Sequence, residues 1–379
     1  MIDLGPARSR AEQFDLLRAE LHKRHLFEFW DETYSKDEHI ATKRITVEQQ
    51  AVAKVWNYAD DIHPLLLRSA ELIDIHESER RSILMVNPGY SGTIATLATI
   101  LAAYRINLPD EIAPAHRHTA NAIRFGLTGH TNFTAVDGEH IVFGPGDLVL
   151  TPSNTWHNHG NGGDAGAVNF SLLDWPLVNL LALTKVDYDY AEEQGGKKVR
   201  RETQTDRFGP DYSRRVYGRG GLTPRFAEKR VRSNHSPMFV YRYDQMRSLI
   251  EDIRDLDGTP HDGIFIEYTD PVTGGNVYPT LSFGMQLLRP GERLLPQRQT
   301  ANRVYLVYEG RGHSIVSGER HDWKRFDTLC VPSGAWCEHV NESNEDVLLF
   351  TTSDEPAIRS LGFLQKLGRT STGEIVELA

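Results

Sequence analysis

Cysteine is nearly absent: Cys330 and Cys337 are the only two in 379 residues. They sit seven apart in a stretch that reads as strand, turn, strand. A disulfide framework is thereby excluded, and a reducing cytoplasm fits best. Long apolar runs are missing too. The most apolar segment, Ile94–Tyr104, is too short to cross a bilayer, and the N-terminus, opening Met1-Ile2-Asp3, is charged throughout with no signal-type apolar core. Neither membrane insertion nor export is expected. Positive charge is not in excess: 42 Lys+Arg against 52 Asp+Glu give a net charge of -10. That balance argues against a phosphate-backbone partner, so no nucleic acid is expected.

What the chain does have is length, roughly two to three times that of a typical domain. Phe14, Leu17 and Leu21 fall at helical spacing among charged residues and predict an amphipathic helix over Ala11–Leu26. A second helix is predicted over Pro64–Ile73. Beyond Asn87-Pro88-Gly89 the pattern changes to short β-rich runs broken by Gly, Asp and Pro, such as Asn132–Asp137, Gly138, then His140–Phe143. This is the texture of a barrel or sandwich. Between about Lys185 and Lys229 the chain is charged and Gly-rich, and its basic run Lys197–Arg201 reads as a solvated loop.

An internal repeat organises the rest. His116-Arg117-His118-Thr119-Ala120-Asn121 returns 181 residues later as Gln297-Arg298-Gln299-Thr300-Ala301-Asn302. Pro152–His159 returns 180 residues later as Pro332–His339, with Trp156 matched by Trp336. Two ordered blocks at nearly constant offset imply two copies of one β-fold.

The first copy carries the chemistry. Side chains alternate between the faces of a strand, so His116 and His118 project to the same side, at a chelating spacing. The same parity brings Arg124 to that interior, where a guanidinium requires an anion. His157 and His159 repeat the spacing on a later strand, and either one completes a three-imidazole metal site. A lone histidine on a strand is far more often a hydrogen-bonded core residue; two His-X-His pairs about forty residues apart reverse that weighting.

These residues resemble the cupin superfamily, whose two motifs are the His116/His118 strand and the segment Gly146 through Pro152 to His157 and Asn161. The usual cupin glutamate ligand is missing, its position being Ala122. With Pro114–Thr119, Arg124-Phe125, Thr134–Glu139 and Thr155–Asn161, the chain resembles the bicupin gentisate 1,2-dioxygenase family, which includes salicylate and 1-hydroxy-2-naphthoate dioxygenases. The likeness extends through Trp56–Ala59, Pro64–Arg68, Glu79-Arg80-Arg81 and Asn87–Gly89. It implies a mainly β bicupin of two double-stranded β-helix (jelly-roll) barrels behind an N-terminal helical region. The expected boundaries are 1–90 for that region, 91–185 for the catalytic cupin, 186–272 for a linker and 273–379 for a second cupin that has lost its metal ligands.

The resemblance also implies Fe(II) on His116, His118 and His157, with Arg124 clamping the substrate carboxylate and His159 acting on the substrate hydroxyl or oxygen as a local acid/base. Arg80 and Arg81 match an arginine-bearing segment near the family's pocket, an ion-pair role being the alternative. Trp156 is expected to pack beneath the metal strand. The implied reaction opens an aromatic ortho-hydroxy acid with O2 between the carboxylated and hydroxylated carbons, in a homotetramer. Departures fall on the pocket: Arg105 replaces a common Gln, Leu101 an aromatic, and Ser171 an Asp. A more acidic, ring-substituted or bulkier acid than gentisate is the expected consequence. In the second copy Gln297, Gln299 and Cys337 make a poor Fe(II) set, so a structural role is expected. The competing classes are a non-catalytic bicupin that binds a metal and a small aromatic acid, and a cupin decarboxylase or isomerase, against which Ala122 speaks.

Overall fold

The strands Asn132–Val136 and Glu139–Phe143 show how local sequence sets the architecture. They pair in antiparallel register through Val136 and Glu139, so the connection is the two residues Asp137 and Gly138. Both have positive φ, 46° and 83°, the geometry whose twist matches a hairpin. A computed structural model describes residues 9–26, 50–74, 81–222, 224–226 and 234–378.

Residues 1–50 and 51–379 form two separate compact units. In the first, a helix runs over Arg10–Lys23, closed by a Ser9/Glu12 capping box. The expected apolar stripe is not buried: Phe14, Leu17 and Leu21 are half-exposed and no residue of this helix is buried. The second expected helix spans His63–Leu72, with Pro64 in its first turn, where the missing N–H costs nothing. Among the described residues no helix is long and apolar enough to cross a membrane.

The larger unit is a mainly β bicupin. Its first half packs two sheets. One orders the strands Val240–Tyr241, Leu148–Thr151, Ala122–Gly126, Ala167–Leu173, Leu101–Asn107 and Ser82–Met85; the other orders Val186–Asp187, Ile112–His118, His157–Asn161, Asn132–Val136 and Glu139–Phe143. The second half repeats this with strands from Ile264–Glu267 to Ile375–Glu377. Segments outside the repeats extend the sheets: Lys54–Trp56 pairs with Thr328–Val331, and Val240–Tyr241 with Leu148–Thr151. The basic run is exposed as anticipated, yet Lys197–Arg200 is a strand paired with Ala191–Gln194 around Gly195-Gly196 rather than a loop.

Strand alternation divides the molecule into unlike compartments. Ala102, Tyr104, Ile106, Ile123, Phe125, Phe170 and Leu172 join Met285, Leu287, Val304, Leu306, Leu348 and Phe350 in one core that lies between the two halves. Phe125 stacks on Phe350 with ring centroids 4.1 Å apart. Burying each such side chain contributes about 1.5–3 kcal/mol, so this seam holds the halves together. The residues in between, Arg105, Arg124 and Ser171, point the other way, into the first barrel. The second barrel instead buries a cluster of Leu288, Val307, Val316, Trp323, Leu329, Val331 and Leu349.

The duplication is visible in a reciprocal tie. Asp174 accepts hydrogen bonds from the backbone and side-chain amides of Asn121 and from Thr280 of the second half; Asp354 accepts from Asn302 in the same way and from Thr99 of the first. Each half thus lends a threonine to the other's buried aspartate.

Candidate metal centre

The strand Ile112–His118 carries an irregularity between Ala113 and His116, after which His116 lies opposite His157. Thr134 and Val136 of the next strand stand opposite His159 and His157. Four histidines therefore converge from two adjacent strands, and all are at most 2% exposed. His116 and His157 have ring centroids 4.4 Å apart, His118 and His157 4.7 Å, His157 and His159 5.3 Å.

Their hydrogen bonds separate them into two kinds. His116 Nδ1 lies 2.9 Å from the Pro114 carbonyl, His118 Nδ1 2.8 Å from the Ala120 carbonyl, and His157 Nδ1 2.9 Å from the Thr155 carbonyl. A carbonyl only accepts, so each ring is protonated on Nδ1 and carries its lone pair on Nε2. Burial, then the neighbouring His116 and His118, hold His157 well below the usual imidazole range and keep it neutral. Its Nε2 is buried with no hydrogen-bond partner. A buried orphan of this sort calls for an explanation, and a metal ion supplies one.

His159 differs. Its Nε2 meets Arg124 Nη2 at 3.1 Å and its Nδ1 meets Thr134 Oγ1 at 2.9 Å. A guanidinium only donates, so Nε2 accepts from Arg124 and Nδ1 donates to the threonine. Burial, then Arg124, then Arg105 hold this ring far below its ordinary pKa, hence neutral. By distance alone, nitrogens of His116, His157 and His159 form a trio within 4.8 Å of one another, which would leave His118 out. Hydrogen bonding weighs the other way, because both nitrogens of His159 are already engaged.

Arg124 is 8% exposed, on a strand whose register sets it opposite Ser171, which in turn lies opposite Ala103; Arg105 lies opposite Asn169, one row further on. Arg105 Nε donates to Asn107 at 2.8 Å. Two guanidiniums thus share one barrel wall, with neutral Ser171 and Asn169 on the strand that lies between theirs. Leu101 is buried on the same face of that strand, opposite Leu173. Arg81 is engaged elsewhere: its guanidinium donates to the Glu111 carboxylate and, at 2.8 Å, to the Ile73 carbonyl, the ion-pair alternative. Arg80 lies outside the described residues. Trp156 is not a core residue: it is half-exposed and packs against the metal strand through the Arg117 guanidinium, 4.7 Å from its ring, beside Tyr190.

Three neighbours escaped the sequence reading. Thr134 fixes His159, Trp175 meets His118 at 5.7 Å, and Tyr188, from the expected linker, meets His116 at 6.0 Å. The repeat held the signal for Thr134, since Ser314, 180 residues on, bonds His339 Nδ1 at 2.7 Å.

Residues 106–173 match the Cupin domain family. The 5-aminosalicylate 1,2-dioxygenase of Comamonas sp. is 36% identical over 84% of this chain and 81% of its own length. Gentisate 1,2-dioxygenase 1 of Aquipseudomonas alcaligenes is 34% identical over 79% and 82%. The chain belongs to the gentisate and salicylate 1,2-dioxygenase family. A solved structure of salicylate 1,2-dioxygenase from Pseudoaminobacter salicylatoxidans with gentisate superposes with a TM-score of 0.80, at 25% identity, over 97% of both chains. A 1-hydroxy-2-naphthoate dioxygenase of Nocardioides sp. is 34% identical over 76% of this chain and 72% of its own length. Membership in this dioxygenase family makes the chain an oxygen-using oxidoreductase rather than a binding protein.

Proposed function

We propose that the chain uses one Fe(II), held by His116, His118 and His157, to open an aromatic ortho-hydroxy acid between its carboxylated and hydroxylated carbons. The observation that carries this is the shared pattern of three buried imidazoles, each tied through Nδ1 to a backbone carbonyl, with the orphaned Nε2 of His157 among them. Three neutral ligands leave the ion its full double charge, which suits an anionic chelating substrate, and the bound metal supplies the activation of dioxygen.

The protein's own groups do the rest. Arg124 lies beside the histidines and is the carboxylate clamp, through charge-assisted N–H donors. Arg124 is also the donor to His159 Nε2, so a carboxylate that draws the guanidinium away uncovers that lone pair for the substrate hydroxyl proton. Thr134 keeps the ring in the receptive tautomer. Arg105 adds a second positive charge behind them, and Leu101 and Ser171 shape the wall. The pair of guanidiniums favours an acid more anionic or more substituted than gentisate. The first barrel is the catalytic domain and the second a structural one; Arg81 holds Glu111 and takes no part in substrate binding.

The test is anaerobic loading with Fe(II), then oxygen uptake and ring-fission absorbance with gentisate, salicylate, 5-aminosalicylate, other substituted salicylates and 1-hydroxy-2-naphthoate. Consumption of at least one is expected. Iron-replete protein that consumes none refutes the reaction, and plain gentisate turned over as well as its bulkier analogues removes the pocket argument.

A further inference from the structure

The second barrel, read so far as structural, contains a polar cavity of about 160 Å³ at its own former metal position. Gln297 and Gln299 line it where the repeat sets His116 and His118. Arg303 lines it where the repeat sets Ala122, and the sheet registers agree: Arg303 lies opposite Val331 and Ser353, as Ala122 lies opposite Thr151 and Leu173. The two barrels are thus inverted at this point. One has a small side chain beside metal-binding histidines; the other has amides beside a fixed cation.

Arg303 is only 6% exposed, and its Nε and Nη2 are buried with no hydrogen-bond partner. Thr352 Oγ1, on the same cavity wall, is likewise without one. The nearby Asp262 carboxylate is occupied by Gln297 Nε2 at 2.7 Å and Thr259 Oγ1 at 3.2 Å, and makes no ion pair with Arg303 among the described residues. Buried cations are ordinarily paired, and a guanidinium fork with two unpaired donors matches a carboxylate. An engineered cavity of about 150 Å³ holds a benzene ring, so a space of this size admits one arene.

We propose that the second barrel is a binding site for a small monocarboxylate, up to a single aromatic ring in size, which it recognises by ion pairing to Arg303. The positive charge that the ancestral repeat obtained from a metal comes here from the side chain itself, so no iron is needed. The site is separate from the oxygen chemistry, and its existence does not depend on that reading.

Equilibrium dialysis of labelled benzoate against the iron-loaded full chain under anaerobic conditions tests it. Two sites per chain are expected: Arg124→Gln weakens one, and Arg303→Gln weakens the other at least 30-fold while iron stays at one per chain. A lone site that Arg303→Gln leaves intact, or two sites both unaffected by it, overturns the proposal, whereas a lone site lost with Arg303→Gln upholds it and counts only against the Arg124 clamp. Should that variant fail to fold, a crystal of the unsubstituted chain grown with benzoate decides. A carboxylate on Arg303 supports the site, and ordered water alone in the cavity overturns it.

Discussion

Replacing His118 and His159 separately by alanine discriminates between the two ligand sets that geometry allows. His159 Nε2 accepts from Arg124 and its Nδ1 donates to Thr134, so its loss removes two hydrogen bonds and no ligand. Removal of a group that only supports a metal site typically lowers affinity about 10- to 100-fold, and His159 bonds none of the three proposed ligands, so a change below about tenfold is expected. His118 is a different matter: losing it removes a coordinate bond and opens the site beside His157, 4.7 Å away. A fall on the order of 1,000-fold or more in Fe(II) affinity is expected. The assay is anaerobic loading, gel filtration and an iron count, with cobalt(II) spectra as a second readout. His159→Ala should retain about one iron per chain while losing turnover, and His118→Ala should emerge nearly iron-free. The reverse pattern, iron lost with His159 and kept without His118, refutes the hydrogen-bond argument and restores the trio chosen by distance alone.

Arg124→Gln should lower kcat/KM by roughly 30- to 1,000-fold with iron content unchanged, because charge-assisted hydrogen bonds to a substrate carboxylate contribute about 2–4 kcal/mol together; a change under threefold argues that Arg105 is the clamp instead. His339 is pushed down to about 3 by burial and then by Arg303, so it is neutral when folded, whereas the unfolded chain protonates it below its ordinary 6.5. Stability from this group is full above pH 6.5 and is lost on acidification towards pH 3, at about 1.4 kcal/mol per pH unit. Denaturant titrations of iron-free protein at pH 7 and 4.5 should show a loss that His339→Gln reduces by about 2–3 kcal/mol, and equal slopes in the two proteins contradict it. Phe125→Ala removes the ring that stacks on Phe350 and should cost about 3–5 kcal/mol in chemical unfolding. A cost below about 1 kcal/mol shows that the seam between the halves is not the main core.

The chemistry-bearing strands were legible because their signals are short-range. A spacing of two residues puts His116 and His118 on one face whatever the rest of the chain does, and glycine after Asp137 dictates the hairpin. The repeat was legible because matching blocks keep their order and spacing, Trp156 and Trp336 among them. The fate of a long polar side chain was not. Arg81 reaches Glu111, thirty residues away, and Trp156 takes its partner Arg117 from the strand Ile112–His118; such choices depend on which groups a folded surface brings near. The stripe of the first helix was overread because helical spacing states which side chains share a face, not whether anything covers it.

By itself the sequence determined the two-barrel architecture, the histidine cluster and the replacement of its imidazoles by Gln297, Gln299 and Cys337 in the second copy, since periodicity and donor chemistry are properties of the chain. Tertiary structure alone decided that Arg124 and Thr134 hold His159 in one tautomer, that Thr280 and Thr99 cross between the halves to Asp174 and Asp354, and that Arg303 is buried beside a cavity with Nε and Nη2 unpaired. Hydrogen-bond satisfaction is settled only when burial removes water as the alternative partner, and burial is a property of the whole fold.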